Sequence, residues 1–285
     1  MLVFRGKAMP ETSLVMAIVN RTPDSFFDKG ATFGLDAALA RVDQVVAEGA
    51  DLVDIGGVKA APGAEVSAEE EADRVVDLVA RVRQEHPSLV ISVDTYRASV
   101  AELVLQAGAD VVNDAWERPE PETVEVAARY GAGIICTHAG HLPPRTRPHR
   151  VAYADLVGDV VGTLTRMAEE AVAAGVPREG VVIDPGHDFG KNSRQSLQIT
   201  GRTGDLVATG WPVLMALSRK DFVGEVLDAL PDERLEGTLA ATAVTAWLGA
   251  RVFRAHDVRA TRRVLDVVDA LRGTREPRVD VRGLA

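Results

Sequence analysis

The chain has 285 residues, of which 46% are hydrophobic, 26% charged and 5% aromatic. This composition is ordinary for a globular protein with a sizeable core, in one large domain or two small ones. The net charge of −10 argues against a dedicated nucleic-acid binder, so we expect no nucleic-acid partner. The single cysteine, Cys136, excludes a disulfide within the chain and is expected to be a core thiol. Without a long apolar run or a signal peptide, we expect a cytoplasmic protein with no membrane partner.

Short apolar runs alternate with longer segments whose apolar residues recur every three or four positions. The eight runs are 14–20, 51–56, 89–94, 110–114, 132–138, 180–186, 212–218 and 250–256. The runs predict strands and the segments between them predict helices. Four glycines stand just before the next run, where a helix C-cap is expected: Gly49, Gly108, Gly131 and Gly249.

Eight β-then-α units predict an α/β protein, a (β/α)8 TIM barrel in a single domain over residues 14–273. Residues 1–13 are then an N-terminal extension, and 274–285 are a C-terminal tail. A doubly wound open sheet uses the same units, but the count of eight and the uniform composition favour the barrel. The longest irregular insertion, 138–153, is predicted to be a loop over a functional face.

Polar residues stand at the carboxyl end of nearly every run. They are Asn20 to Asp24, Asp94, Asn113, Asp114, His138, Asp184, Ser218, Arg219, Lys220, Arg254 and His256. Strand termination or helix capping explains any one of them, and for Asp24, Asp114 or Ser218 alone we favour that explanation. In a barrel, however, these ends converge on one mouth. Six or more polar ends at one mouth predict a functional site.

The polar ends divide into two sets. Acceptors and an amide come from Asp94, Asn113 and Asp184, which suit a flat heterocycle with several N–H donors. Donors and cationic groups come from Asn20, Lys220, Arg254 and His256, which suit a diphosphate, with or without a bridging Mg²⁺. For His256 alone, a capping or core histidine is an equally good interpretation. Together the sets predict a nitrogen-rich ring that carries a diphosphate.

Ordered motifs over nearly the whole chain resemble those of dihydropteroate synthases. They are MAIVNRTPDSFFDKG, GADLVDIGG, ISVDTYRASVAELVLQAGADVVNDAW, IDPGHDFGKN, PVLMALSRK and ERLEGTLAATAVTAWLGARVFRAHDV. The resemblance implies a (β/α)8 barrel that condenses 6-hydroxymethyl-7,8-dihydropterin diphosphate with 4-aminobenzoate and releases diphosphate. Homodimers are common in the family, and the apolar segment 238–250 is either a dimer face or an ordinary barrel helix.

The resemblance also implies a role for each matching residue. The pterin contacts are Asp94, Asn113, Asp184, Phe189, Lys220 and Arg254. The diphosphate contacts are Asn20, Arg254 and His256, with the Mg²⁺ cofactor held through Asn20. The catalytic residues are then Lys220, Arg254 and His256, and the last two neutralise the leaving diphosphate electrostatically, without a covalent intermediate.

The chain departs from the family in the loop after the second run. Family members typically carry Gly-Gly-Glu-Ser-Thr-Arg-Pro-Gly there, whereas this chain has GGVKAAPG over residues 56–63. The family's loop threonine and arginine contact the diphosphate, and Ala60 and Ala61 stand at the matching positions. Lys59 supplies a positive charge at a different position, without the two-pronged geometry of arginine.

Other departures lie after the fifth, sixth and seventh runs. Asp221 stands at the helix start where the family docks the aminobenzoate carboxylate, and we expect it to repel that group. Ala139 stands where a pterin-packing methionine is usual. His187 and Asp188 replace a small or apolar pair before Phe189.

These departures leave several functions open. We expect a dihydropteroate synthase-like protein that binds the pterin diphosphate but has weak or lost condensation activity, with an active synthase as a close alternative. A transferase with an uncharged or cationic acceptor is a third possibility, and a scaffold without pterin binding is a fourth. A barrel of the methyltetrahydrofolate–corrinoid methyltransferase kind shares the Asp/Asn/Asp pattern but does not explain SRK and RAHD together.

Overall fold

The computed structural model describes residues 1–22, 32–146 and 151–282. Asp24, predicted in the first loop, lies outside these ranges. The eight strands of the main sheet are β3 (Leu14–Asn20), β4 (Leu52–Gly56), β5 (Val90–Asp94), β6 (Val111–Asp114), β7 (Gly133–Thr137), β8 (Val181–Asp184), β9 (Leu214–Met215) and β10 (Val252–Ala255). A two-stranded hairpin, β1 (Val3–Phe4) and β2 (Lys7–Ala8), precedes them. Each of the eight predicted runs therefore contains a strand.

The eight strands are parallel and lie in the order β8-β7-β6-β5-β4-β3-β10-β9. The two end strands are joined by a parallel bridge between Ile183 and Val213. Beside this bridge, the backbone N–H of Ile183 donates to the carbonyl of Pro212 at 2.9 Å. These contacts bring the ends of the sheet together into a barrel, so the prediction of a barrel over an open sheet is confirmed.

Helices cover the outside of the barrel. They are α1 (Leu35–Ala47), α2 (Ala68–Glu85), α3 (Ala98–Ala107), α4 (Glu122–Arg129), α5 (Leu156–Ala173), α6 (Ser193–Gly201), α7 (Thr203–Val207), α8 (Asp221–Leu227), α9 (Leu235–Trp247) and α10 (Val258–Leu271). In α2, the Ser67 side chain accepts the N–H of Glu70 and caps the first turn. Gly49, Gly108, Gly131 and Gly249 all adopt positive φ after a helix, as the sequence predicts.

The strand β9 is much shorter than its predicted run of 212–218. Pro212 has no N–H to donate to a neighbouring strand, and strand pairing begins two residues later. Beyond Met215 the chain leaves the sheet and passes through Ser218 to Lys220 at the mouth. The short strand thus places these polar residues in a loop at the mouth.

The core has two layers. One lies between the outer face of the strands and the helices, and includes Val42, Leu78 and Leu105. The other fills the amino-terminal end of the barrel interior, where Leu2 and Phe4 of the hairpin pack with inward-facing strand residues. Burial of a side chain as large as Phe4 contributes on the order of 1.5–3 kcal/mol to the free energy of unfolding. Because the hairpin covers this end, polar side chains gather at the opposite, carboxyl end of the barrel.

Two further predictions concern single features of the chain. Cys136 is buried in the outer core, and burial raises its pKa to about 12, so it is the core thiol that we expected. Within the described ranges, no helix is both long enough and apolar enough to cross a lipid bilayer.

Candidate functional site

A fully buried carboxylate, Asp54, lies in the middle of β4 at the carboxyl half of the barrel interior. It accepts hydrogen bonds from Arg254 Nε at 2.6 Å, Ser92 Oγ at 2.6 Å and Asn113 Nδ2 at 3.1 Å. Arg254 Nη2 also reaches Asp94 Oδ2 at 3.4 Å. We call Asp54, Ser92, Asp94, Asn113 and Arg254 the Arg254 cluster. Four strands of the barrel contribute to it, β4, β5, β6 and β10. The closed sheet therefore explains why residues far apart in sequence meet here.

The two acids of the Arg254 cluster have different surroundings. The Asp94 side chain is 22% exposed and faces the mouth, whereas that of Asp54 is inaccessible to solvent. Burial raises the pKa of Asp94 to about 7, against the influence of Arg254, and the charges of Asp54, Glu71 and Asp114 raise it further. Asp54 therefore holds the arginine and the amide in place, while Asp94 is the acid that a ligand can reach.

Asp54 is a residue of the Arg254 cluster that the sequence analysis missed. It stands inside the run DLVDIG, whereas the residues that predict the site stand at the ends of their runs. Burial of a carboxylate in the middle of an apolar strand is costly unless the group is paired. That cost is the sequence signal that could have identified Asp54 as a paired residue of the barrel interior.

Asp184 and Lys220 lie near each other at the mouth, on the ends of β8 and the loop after β9. Asp184 Oδ1 accepts the N–H of Gly186 at 2.7 Å, and burial raises its pKa against the influence of Lys220. Lys220 Nζ donates to the carbonyl of His187 and lies 5.0 Å from the centroid of the Phe189 ring. Burial lowers the pKa of Lys220, against the influence of Asp188 and Asp184.

Phe189 belongs to a small apolar group at the mouth. Its ring meets the Trp116 ring edge to face at 4.7 Å between centroids, and Ala139 and Tyr96 pack on the same group. A flat ring inserted beside Phe189 would therefore find apolar contacts on one side and the acids of the barrel on the other.

His256 directly follows the end of β10, two residues after Arg254, and is nearly buried. Its Nδ1 is 2.9 Å from Ser218 Oγ, and its carbonyl accepts from Arg41 Nη2 at 2.6 Å. Burial lowers its pKa to about 3, and Arg254, Arg219 and Arg41 lower it further. The imidazole is therefore neutral near pH 7, a hydrogen-bonding group rather than the cation that the sequence analysis predicts.

Asn20 ends β3 beside the Arg254 cluster. A Cβ atom placed on Gly56 would lie 3.7 Å from Asn20 Oδ1 and 3.8 Å from Asp94 Cβ, so both side chains flank Gly56. The structure thus gathers at one mouth all the residues that the sequence assigns to the site: Asn20, Asp94, Asn113, Asp184, Phe189, Lys220, Arg254 and His256.

Two other polar strand ends have structural partners instead. Asp114 Oδ1 accepts the N–H groups of Trp116 at 3.4 Å and Arg118 at 3.3 Å, and so shapes the loop after β6. Arg219 forms a two-pronged ion pair with Asp257, with distances of 2.8 and 3.0 Å. For Asp114, the capping explanation that we favoured agrees with these contacts.

A second unpredicted residue, Lys191, holds the loop after β8. Its buried Nζ lies 2.8 Å from His138 Nδ1, and donates to the carbonyls of Gly186 at 3.1 Å and Phe189 at 2.9 Å. His138 Nε2 in turn lies 2.8 Å from Asp159 Oδ1. Burial lowers the pKa of Lys191 to about 7 and that of His138 to about 4. A loop lysine usually faces solvent, so nothing in the sequence pattern indicated this role.

Asp221 does not have the surroundings that the sequence analysis expected. Its side chain is 80% exposed and accepts from Arg234 Nη1 at 2.9 Å, so its charge is paired outside the mouth. Its backbone N–H donates to Asp188 Oδ2 at 2.8 Å. The expectation that the Asp221 carboxylate itself occupies the start of α8 is therefore wrong, because the carboxylate that accepts the first N–H of α8 belongs to Asp188.

The altered loop after β4 also lies at the mouth. Val58, Lys59 and Ala60 line a small cavity beside Asp94, together with Arg145 from the loop after β7. Arg145 Nη1 donates to the carbonyl of Ala64 at 2.7 Å, which joins the two loops. We call residues 58–61 together with Asp188 the loop side of the mouth.

The sequence profile described as "Pterin binding enzyme" matches residues 16–256, which span every strand of the barrel. The chain belongs to the pterin-binding enzyme family. Among its relatives, it is 54% identical over 279 residues to the inactive dihydropteroate synthase 2 of Mycobacterium leprae, with 96% of each chain covered. It is 40% identical over 263 residues to the dihydropteroate synthase of Bacillus subtilis, which covers 92% of this chain and 89% of that one.

Solved structures of dihydropteroate synthases share the fold of this pterin-binding family member. The Yersinia pestis enzyme in a complex with a sulfonamide drug superposes with a TM-score of 0.90. The two sequences are 36% identical, and the match covers 96% of this chain and 99% of that one. The resemblance that the sequence motifs indicated is therefore confirmed at the level of family and fold.

Proposed function

We propose that this protein binds 6-hydroxymethyl-7,8-dihydropterin diphosphate at the barrel mouth and has weak or lost condensation activity with 4-aminobenzoate. One observation carries the proposal. The residues of the Arg254 cluster are paired with one another around the buried Asp54, and Asp94 remains accessible from the mouth, whereas the loop side has lost the family's loop threonine and arginine. The inactive enzyme of M. leprae, at 54% identity, supports the second half of the proposal by analogy.

The Arg254 cluster and its neighbours supply groups that match a pterin ring. Asp94 and Asp184 present acceptors to ring N–H donors, and Asn113 is held by Asp54 with its other amide groups still able to bond. Lys220 brings a positive charge next to the Phe189 ring, and Arg254 presents a guanidinium fixed by two acids. Because these groups are placed before a ligand arrives, little ordering is required on binding.

The diphosphate of the ligand requires cations and donors at the rim of the mouth. Arg254 and Lys220 supply positive charge, and His256 supplies a neutral ring held by Ser218. Bound Mg²⁺ would neutralise charge on the leaving diphosphate. Asn20 offers the metal one oxygen ligand, and the donor set fits an ion held mainly by phosphate oxygens and water, as Mg²⁺ often is.

The active enzyme is the close alternative, since the cationic groups of the mouth are present. We favour the weak or inactive protein because Ala60 and Ala61 have no side chain that can contact a diphosphate. The proposal also includes two expectations from the sequence analysis, a cytoplasmic location and the homodimer that is common in the family. A scaffold without pterin binding is disfavoured, because Asp94 of the Arg254 cluster is exposed to the mouth, where a ligand can reach it.

Calorimetry and a diphosphate-release assay test the proposal together. Wild-type protein should bind the pterin diphosphate with Mg²⁺ present, but release diphosphate at nearly the same rate with and without 4-aminobenzoate. Asp205→Asn, at an exposed ion pair far from the mouth, serves as the control for handling and folding. Rapid release that depends on 4-aminobenzoate would show an active synthase, and no detectable pterin binding would favour the scaffold.

A further inference from the structure

Asp188 has an unusual backbone and a fully engaged side chain. Its φ is +65°, in the left-handed region that few residues other than glycine, asparagine and aspartate adopt readily. Its Oδ2 accepts the N–H of Asp221 at 2.8 Å, and its Oδ1 accepts from Ser196 Oγ at 3.2 Å. Its own N–H donates to the same Ser196 oxygen at 3.2 Å. The carboxylate is therefore fixed in one position by neighbours on two helices.

This position lies within the mouth, close to its second cation. Lys220 Nζ donates to the carbonyl of His187, and the N–H of Asp221 donates to Asp188 Oδ2, so residues 187–188 lie against residues 220–221. Lys220 Nζ also lies 5.0 Å from the centroid of the Phe189 ring. Burial lowers the pKa of Lys220, and the charge of Asp188 raises it against that larger effect. The other cation of the mouth, Arg254, is already paired with Asp54 and Asp94. A negative group that enters beside Phe189 would have to approach Lys220, and there it would meet the carboxylate of Asp188.

We propose that Asp188 selects the charge of the second substrate, so that the protein accepts an uncharged or cationic amine in preference to a carboxylate-bearing one. The inference rests on the proposed function, since a second substrate exists only if a pterin occupies the barrel. Asp188 already satisfies the first N–H of α8, so an incoming carboxylate gains neither that hydrogen bond nor the full attraction of Lys220. The side chain thus acts as a built-in substitute for an anionic group of a ligand.

Asp221 provides a matched control because it is the adjacent acid on the same helix start. Its carboxylate points outward to Arg234 and is largely exposed, so its charge is screened by solvent and neutralised by its partner. If a general negative field at this end of the barrel excluded anions, both acids would contribute. If the fixed carboxylate at Lys220 excludes them, only Asp188 will.

Two probes of nearly equal shape and different charge test the inference: 4-aminobenzoate and 4-aminobenzamide. Their dissociation constants are measured by calorimetry on the full chain saturated with 6-hydroxymethylpterin and inorganic diphosphate with Mg²⁺. Wild type should bind the amide at least tenfold more tightly than the benzoate. Asp188→Asn keeps the shape and tolerates positive φ, and should lower that ratio at least tenfold, as should Asp188→Gly. Asp221→Asn should leave the ratio unchanged.

Each other outcome counts against the inference. Tighter binding of the benzoate by wild type would overturn it, as would equal shifts in the Asp188 and Asp221 variants. If neither probe binds wild type or the Asp188 variants although the pterin does, the protein selects no amine by charge and the inference is wrong. Failure of wild type to bind the pterin would instead defeat the proposed function, so the two failures are distinguishable. Thermal melting of each variant checks that it is folded.

Discussion

The Arg254 cluster and the loop side face the same mouth but are built in different ways. The cluster comes from four strands of the barrel, the adjacent β4, β5 and β6 together with β10, which is separated from β4 by β3. Its hydrogen bonds run between residues that the sheet already holds in register. The loop side comes from the loops after β4 and β8, where Asp188 accepts the backbone N–H of Asp221 and the hydroxyl of Ser196. A change in the cluster disturbs the barrel itself, whereas a change in the loop side alters only what the mouth accepts.

This difference explains where the chain departs from its relatives. Asp54 cannot be replaced without leaving Arg254, Ser92 and Asn113 short of a partner in the barrel interior. Ala60 and Ala61 lie in a loop that tolerates replacement of its side chains. A family member can therefore lose the ability to bind its second substrate while it keeps the side-chain geometry that binds the first.

The largest effect is expected for Asp54→Ala. Removal of one partner from a buried ion pair costs about 3–5 kcal/mol, so the free energy of unfolding should fall by that amount. Urea denaturation measures the loss. Asp205→Ala, at the exposed pair with Arg202, is the control and should show no measurable change. If Asp54→Ala is as stable as the control, the cluster does not hold the strands together and the comparison fails.

The second effect concerns the affinity for the pterin rather than stability. Asp184→Asn removes a charge that should accept N–H donors of the ring, and a hydrogen bond to a charged group is worth about 1.5–3 kcal/mol. The dissociation constant for the pterin diphosphate should therefore rise by about ten- to a hundredfold. Asp114→Asn is the matched control, because Asp114 bonds only to nearby backbone N–H groups in the structure. Equal affinities for wild type and Asp184→Asn, measured by calorimetry, would contradict the assigned pocket.

The sequence predicts most of the fold because barrel strands and helices carry different periodicities. It predicts Asp94, Asn113 and Asp184 because the carboxyl ends of parallel strands must meet. It does not predict the role of Asp54, whose partner Arg254 is 200 residues away. It also does not predict the role of Lys191, because the carbonyls that accept from its side chain come together only after the loop has folded. The error over Asp221 has the same origin, because the Arg234 guanidinium reaches back from the following helix start.

The third effect is a pH dependence of pterin binding. The pKa of Asp94 is raised to about 7 by burial, so the carboxyl becomes protonated as the pH falls through neutrality. A ring N–H donor is accepted best by the ionised form, and affinity should therefore fall with decreasing pH. Between pH 8 and pH 6 the ionised fraction of such an acid falls about tenfold, and the association constant should fall by a similar factor.

Asp94→Asn provides the control for this dependence. Lys191 also titrates near neutrality, with a pKa of about 7, and Asp114 has one of about 6. Asp94→Asn should bind weakly at every pH and lose most of the slope between pH 6 and pH 8. A variant that keeps the full slope would show that another group, rather than Asp94, controls binding.

The smallest effect is expected on the loop side, from Ala61→Arg. The arginine would restore a charge-assisted contact to the diphosphate, worth up to about 1.5–3 kcal/mol when it is buried and less in an exposed loop. The rate of diphosphate release that depends on 4-aminobenzoate should rise a few-fold, and Asp221→Ser alone should leave it unchanged because Asp221 already faces Arg234. Steady-state kinetics of wild type and both variants measure this. A larger gain from Asp221→Ser than from Ala61→Arg would mean that the outward acid, rather than the missing arginine, limits activity.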